Sequence, residues 1–101
     1  MANVLTAVEA ATVLRIDESD QNMLDLLLQV DAYIQNATGR DWTQDNPVRP
    51  EAKSAARMLL TMWFENPAML ASGITVLNFG LMAALVHLES IALQLESESE
   101  A

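Results

Sequence analysis

Apolar residues recur every three or four positions between Asp20 and Thr38, and this periodicity constrains the fold more than any other feature of the chain. The apolar positions in this stretch are Met23, Leu26, Leu27, Val30, Tyr33, Ile34 and Ala37. Because an α-helix has about 3.6 residues per turn, these side chains share one broad face. Gly39, which readily adopts the left-handed conformation that ends helices, follows directly. The pattern predicts an amphipathic helix about 28 Å long at ~1.5 Å per residue.

Start and stop signals predict three further helices. Thr6 and Glu9 form a Ser/Thr-x-x-Glu capping box, which satisfies the free amides at a helix start. Pro50 suits the first turn of another helix, and Asn66, followed by proline, ends it. The predicted helices span residues 6–14, 20–38, 50–65 and 79–95. The sequence thus predicts an all-α fold, a small four-helix bundle with a long second helix and flexible loops.

The organisation along the chain indicates one domain. Residues 1–95 are predicted to form a single helical domain that includes loops at 41–49 and 67–78, the latter with weak extended character. Residues 96–101 form an acidic tail. Anions at the C-terminal end of a helix oppose the helix dipole, so we expect this tail to fray.

The charge balance restricts the kinds of partner. The chain has 101 residues, with 14 acidic and five basic side chains and a formal net charge of −9. Tight binding to nucleic acid is not expected, because non-specific DNA affinity comes from lysines and arginines that displace counterions. The chain has no cysteine, which excludes a disulfide framework and a thiolate nucleophile and fits a reducing compartment. It shows no secretion signal and no membrane-length apolar run, so the sequence predicts a protein without membrane contact that is cytosolic or assembled from the cytosol.

Residue types that carry chemistry are too sparse to predict an enzyme. His87 is the only imidazole, and a catalytic triad or a zinc site needs companions that the chain lacks. Asp17, Glu18 and Asp20 cluster in sequence but lack the glycine and the final bidentate glutamate of a calcium loop, so they are read as helix-capping acids. The widely separated glycines are Gly39, Gly73 and Gly80, and none begins a phosphate-binding pattern. We therefore predict no catalytic, cofactor or metal site.

A cationic stripe marks the third predicted helix. Arg49, Lys53 and Arg57 are spaced by four residues and carry three of the five positive charges. One interpretation is pairing within the chain with acids such as Asp25 or Asp31. The other is a subunit interface, in which the stripe meets the face around Asp25 and Asp31 of an identical neighbour, a head-to-tail contact that closes into a ring.

Aromatic and apolar residues of a predicted loop and of the last predicted helix suggest contacts with partners. Aromatic side chains dominate contact hot spots, and Trp42 lies in a predicted loop, whereas Trp63 is expected in the core. The last predicted helix is apolar almost all round, so it requires burial on more than one side. The candidate partner-contact residues are Trp42, Phe79, Leu81, Leu88 and Leu95.

Several short motifs, taken in order, resemble the phage head-tail connector family, also described as DNA-packaging or head-completion adaptors. The resemblance covers roughly residues 5–66. Leu85 and Phe79-Gly80-Leu81 echo the family's last helix more faintly, and Pro67 and Asn78 depart from its pattern. The motifs are Leu14-Arg15-Ile16-Asp17, Tyr33-Ile34, Thr38-Gly39-Arg40, Leu59-Leu60, Trp63-Phe64 and Glu65-Asn66.

This resemblance implies a structural role in the virion neck, reached from the host cytoplasm before assembly. Subunits of such proteins are all-helical and form a ring of about twelve copies between the portal protein and a tail-side stopper or completion protein. Packaged DNA passes through the ring without tight binding. The alternative is an acidic helical protein that inhibits a nucleic-acid-binding partner by charge mimicry. That activity needs clustered exposed acids, whereas the acids here are scattered over the first two helices and the tail.

Overall fold

The computed structural model describes residues 3–45, 47–66 and 79–100, apart from the side chains of 79, 99 and 100. Within these ranges the chain contains four α-helices, one short 3-10 helix and no strand, which confirms the predicted all-α bundle. The predicted loop 67–78 lies outside the described residues. The helices are α1 (Ala7–Leu14), α2 (Gln21–Thr38), α3 (Pro50–Glu65) and α4 (Phe79–Glu100), and the 3-10 helix is Trp42–Gln44.

Local capping interactions fix the starts of α1 and α2. The Thr6 hydroxyl accepts a hydrogen bond from the Glu9 amide at 3.1 Å, and the Glu9 carboxylate accepts one from the Thr6 amide at 3.0 Å, which confirms the capping box. The Asp20 carboxylate caps α2 by accepting from the Met23 amide at 2.9 Å. Each cap satisfies an amide that has no partner within its helix.

The connection between α2 and α3 begins and ends as predicted. Gly39 has φ of 78°, and its amide donates to the Gln35 carbonyl at 2.8 Å. Glycine adopts this left-handed conformation without steric cost, so α2 ends there. Pro50 occupies the first turn of α3, where its missing N–H costs no helical hydrogen bond.

The core lies between α2 and α3 and extends to a helix on either flank. Helices α1 and α4 each pack against both α2 and α3, whereas α1 and α4 make no comparable contact with each other within the described residues. Helix α3 contributes alanines near its start and bulky side chains near its end, as its sequence predicts. Its buried residues are Ala52, Ala55, Ala56, Leu59, Leu60 and Trp63.

Helix α4 is longer than its sequence predicts. It continues to Glu100, so the predicted end near Leu95 is wrong, and the acidic segment 96–100 is helical. Glutamate is a good helix former, and each added residue gains a backbone hydrogen bond. An unfavourable interaction of an exposed acid with the helix dipole costs only about 0.3–1 kcal/mol and is screened by salt, so it does not end the helix.

Candidate protein-interaction surfaces

Trp42 is a core residue of the bundle. The 3-10 helix turns its side chain inward, where only 1% of the residue is exposed. Its indole N–H donates to the Thr38 hydroxyl at 2.9 Å, and that hydroxyl donates in turn to the Ile34 carbonyl at 2.8 Å. The prediction that Trp42 contacts a partner is corrected accordingly, because its ring is buried and its indole N–H is hydrogen-bonded within the chain.

An ion pair holds the segment around Trp42 in place. Arg40 Nη2 lies 2.7 Å from Asp45 Oδ1, and the Arg40 guanidinium lies 5.4 Å from the centre of the Trp42 ring. This segment and the C-terminal part of α4 line an open cleft of about 520 Å³. The half-buried Leu95, a predicted partner-contact residue, is at this cleft, together with Leu93.

The other predicted partner contacts on α4 lie on its buried face. Leu81 and Leu88 have no exposed surface and pack in the core with Leu85 and Ala92. Spacing alone did not distinguish the core face of this helix, because almost every side of it is apolar. Leu81 and Leu88 are therefore corrected to core residues. The side chain of Phe79 lies outside the described part of the structure.

A second apolar face of α4 is exposed to solvent. Met82 is 48% exposed, Val86 66% and Leu93 61%. Their spacing of four and seven residues places them in one line along the helix, and we call these three residues the outer stripe. It lies beside a shallow depression that includes the exposed His87. The sequence predicted a helix that requires burial on more than one side. Leu81 and Leu88 lie on the side that packs in the core, and the outer stripe forms the second apolar side, which is exposed in the single chain.

The cationic stripe separates into different environments. Lys53 Nζ lies 2.7 Å and 2.9 Å from the two carboxylate oxygens of Glu9, so this lysine ties α3 to α1. This hydrogen bond is the main cause that lowers the pKa of Glu9 below its usual value. Arg49 lies 3.9 Å from Glu51, a loose contact within the same helix turn. Arg57 forms no ion pair with any described residue.

The two acids proposed as the other half of that contact also differ. Asp25 is exposed and accepts a hydrogen bond from the Gln21 side chain at 2.9 Å. Asp31 is partly buried and accepts from the Val4 amide at 3.3 Å, which anchors the N-terminal segment against α2. Burial raises the pKa of Asp31 to about 6, and the nearby charge of Asp41 adds to this rise. Asp25 and Asp31 therefore do not form one exposed acidic surface.

The outward side of α3 carries a shallow depression of about 480 Å³. Its lining residues are Arg57, Met58, Thr61, Met62 and Glu65, which we call the α3 depression. Met58 is 40% exposed. Methionine side chains adapt to differently shaped neighbours, so this surface is suited to an apolar helix. Arg57 was predictable from the charge pattern of α3, and the methionines beside it had a signal in their spacing of four residues, Met58 and Met62.

The described residues contain no group of three or more side chains suited to hold a metal ion. None of the helices in the described ranges is long and apolar enough to cross a membrane. Comparison of the chain with protein-family models, curated proteins and solved structures found no match. The outer stripe of α4 and the α3 depression are therefore the candidate interaction surfaces of the chain.

Proposed function

We propose that this chain is a structural head-tail connector subunit of a tailed phage or prophage. In this role it forms a ring between the portal protein and a tail-side stopper or completion protein, and packaged DNA passes through the ring. The resemblance of residues 5–66 to connector proteins supports the proposal, as does an all-α bundle with exposed apolar surfaces on two different helices. The role requires contact with other proteins and no catalytic group.

The observation that carries the proposal is the second apolar face of α4. This helix buries Leu81, Leu85 and Leu88 in its own chain and still leaves the outer stripe in water. Exposed apolar patches of this kind mark contact sites for other proteins. A helix with two apolar faces is suited to a subunit that is completed by its neighbours in an assembly.

The acidic character of the chain fits a channel that DNA traverses. With a net charge of −9, a ring of such subunits repels phosphate at short range, within about 8 Å at physiological salt. DNA then slides without adhering. The rival role as a charge mimic is less favoured, because the exposed acid Glu89 lies between apolar residues of the outer stripe instead of in a continuous acidic surface.

Deletion of the coding sequence from its own phage or prophage genome tests the proposal. We expect DNA-filled heads without tails, visible by electron microscopy, and restoration of tails by the parent chain supplied in trans. A variant with Met82→Asp, Val86→Asp and Leu93→Asp should fail to restore them. Normal tailed particles after deletion would contradict the connector role.

The matched control uses Leu28, a 54% exposed leucine on α2. Leu28→Asp is matched with the single variant Val86→Asp, since each adds one negative charge at an exposed apolar position, on α2 and on α4 respectively. Leu28→Asp should restore tails as well as the parent chain does, whereas Val86→Asp should not. Circular dichroism of each purified variant establishes that the helices remain folded. If Leu28→Asp fails equally, tail attachment depends on total charge and not on the outer stripe.

A further inference from the structure

The outer stripe and the α3 depression cannot meet within one molecule. Helix α4 packs on the bundle through Leu85 and Leu88, and its outer stripe lies on another side of the helix. The α3 depression likewise lies opposite the core face that includes Leu59 and Trp63. Two exposed surfaces on separate helices therefore remain for other chains.

The charges on these two surfaces are complementary. Helix α4 contains no lysine or arginine, and its glutamates are Glu89, Glu96, Glu98 and Glu100. Glu89 is exposed and lies between Val86 and Leu93 of the outer stripe. The α3 depression has Arg57 at one end, with no acid paired to it among the described residues. The positive charge of Arg57 beside methionines is therefore complementary to the negative charge of Glu89 beside aliphatic side chains.

We infer that the outer stripe of α4 in one copy docks into the α3 depression of the next copy, with Glu89 against Arg57. The contact is head-to-tail, since each copy offers a different surface to each neighbour, and repeated contacts of this kind form a ring when the rotation between copies closes and an open filament when it does not. This contact adds detail to the proposed connector function, and its closure into a ring rests on that proposed function. In this contact Glu89, and not Asp25 or Asp31, faces Arg57 of the cationic stripe.

A symmetric pair of α4 helices is less favourable than this head-to-tail contact. It would bring Glu89 of both copies into one contact with no lysine or arginine on either helix, and like charges at an interface weaken association. Glu65, at the far end of the α3 depression, is about 12 Å along the helix from Arg57 at ~1.5 Å per residue. It therefore lies at the rim and leaves the Arg57 end free for an acid.

The absence of cysteine allows a direct test with engineered thiols. Met58→Cys places a thiol in the α3 depression, and Val86→Cys places one in the outer stripe. A disulfide forms only when the two Cα atoms come within about 4.4–6.8 Å. A mixture of the two single variants, oxidised gently, should give a cross-linked pair on a non-reducing gel. Each variant alone should remain monomeric on that gel.

The control pairs Val86→Cys with Leu28→Cys, an exposed position on α2 outside both surfaces. This mixture should give no cross-linked pair. If Val86→Cys alone cross-links, the α4 helices pair symmetrically and the head-to-tail contact is wrong. If no mixture cross-links, even in neck complexes assembled with the portal protein, the contact is also wrong.

Charge exchange tests the orientation of the contact. Arg57→Glu should weaken self-association in sedimentation measurements by about tenfold, because two acids then face each other. Adding Glu89→Arg to the same chain should restore most of the loss, and Arg57→Lys alone should have a small effect. Absence of rescue by the double exchange, with both variants folded by circular dichroism, would overturn the pairing.

The two proposals fail in different ways. If the cross-link does not form but deletion of the chain still yields tailless heads, the self-contact is wrong and the connector role stands. If the cross-link forms and deletion leaves normal tailed particles, the self-contact stands and the connector role is wrong.

Discussion

Helices α2 and α3, with the segment that joins them, differ from α4 in how their polar and apolar groups are satisfied. In the first region Trp42, Arg40 and Lys53 each have a partner in the same chain. On α4, the described glutamates form no ion pair with any described residue, and the outer stripe is exposed. The first region thus pairs these side chains within the chain and leaves Arg57 at the α3 depression without an ion pair among the described residues, whereas α4 leaves its outer stripe and its described glutamates exposed.

The largest expected effect distinguishes the two faces of α4. Leu88→Ala removes a fully buried side chain and should lower the free energy of unfolding by about 2–5 kcal/mol, through lost burial and a residual cavity. Val86→Ala, two residues earlier on the exposed side, should change it by less than about 0.5 kcal/mol. Urea denaturation of both variants measures this difference. Equal losses would mean that the outer stripe is part of the monomer core.

The second prediction concerns the hydrogen bond that fixes Trp42. Thr38→Val keeps the shape of the side chain but removes the acceptor of the buried indole N–H. An unsatisfied buried donor costs about 1–3 kcal/mol, so unfolding should need correspondingly less urea. Thr38→Ser retains the hydroxyl and should retain most of the stability. If valine and serine are equally tolerated, another group must accept from the indole.

The helix bounds of the first region were predictable because their signals are local. The caps at Asp20 and Gly39 and the first-turn proline Pro50 lie within a few residues of the helix ends that they determine. Burial of Trp42 had no such signal, since it depends on how a short 3-10 helix packs on the bundle. The partner of Lys53 was also missed, because Glu9 stands 44 residues earlier in the chain.

The interaction surfaces were predictable only in outline. The all-apolar character of the last helix indicated two buried sides, but the choice between Leu88 and Val86 as core residues depends on its orientation against α2 and α3. Residue periodicity does not fix that orientation when every side of a helix is apolar. The continuation of α4 to Glu100 was not predictable from the helix dipole, because the helix propensity of glutamate outweighs the small, screened cost of an acid at this end.

The third prediction uses the raised pKa of Asp31, about 6 in the folded chain against a usual value of 3.8. Because the folded chain holds this proton more tightly, its contribution to stability is present below about pH 4 and is lost as pH rises through 6. At pH 7, Asp31→Asn should therefore raise the free energy of unfolding by about 1 kcal/mol, a value reduced by partial exposure to water. The amide oxygen still accepts from Val4.

The control for this pH dependence is Asp25→Asn, which removes the same charge at an exposed site of α2. Its effect should stay within about 0.5 kcal/mol at both pH 3 and pH 7. The advantage of Asp31→Asn should vanish near pH 3, where Asp31 is protonated in the folded and unfolded chain alike. An advantage of equal size at both pH values would show that ionisation of Asp31 is not its cause.

The smallest expected effect concerns the ion pair between α1 and α3. Lys53→Met keeps most of the aliphatic stem but removes the charge that contacts Glu9, and should lower the free energy of unfolding by less than about 1 kcal/mol, because the pair is partly exposed. The pKa of Glu9 is lowered in the folded chain. The contribution of the pair is thus present above the usual pKa of 4.5 and lost as pH falls through the folded value.

The comparison for this ion pair is Arg57→Met in dilute protein, where self-association does not contribute. Arg57 has no ion pair among the described residues, so its loss should leave monomer stability unchanged within about 0.5 kcal/mol. The difference between the two variants should shrink in high salt, since charge screening weakens only the Lys53 pair. If Arg57→Met destabilises the monomer as much as Lys53→Met, then Arg57 has an internal partner and is not free to bind Glu89 of a neighbour.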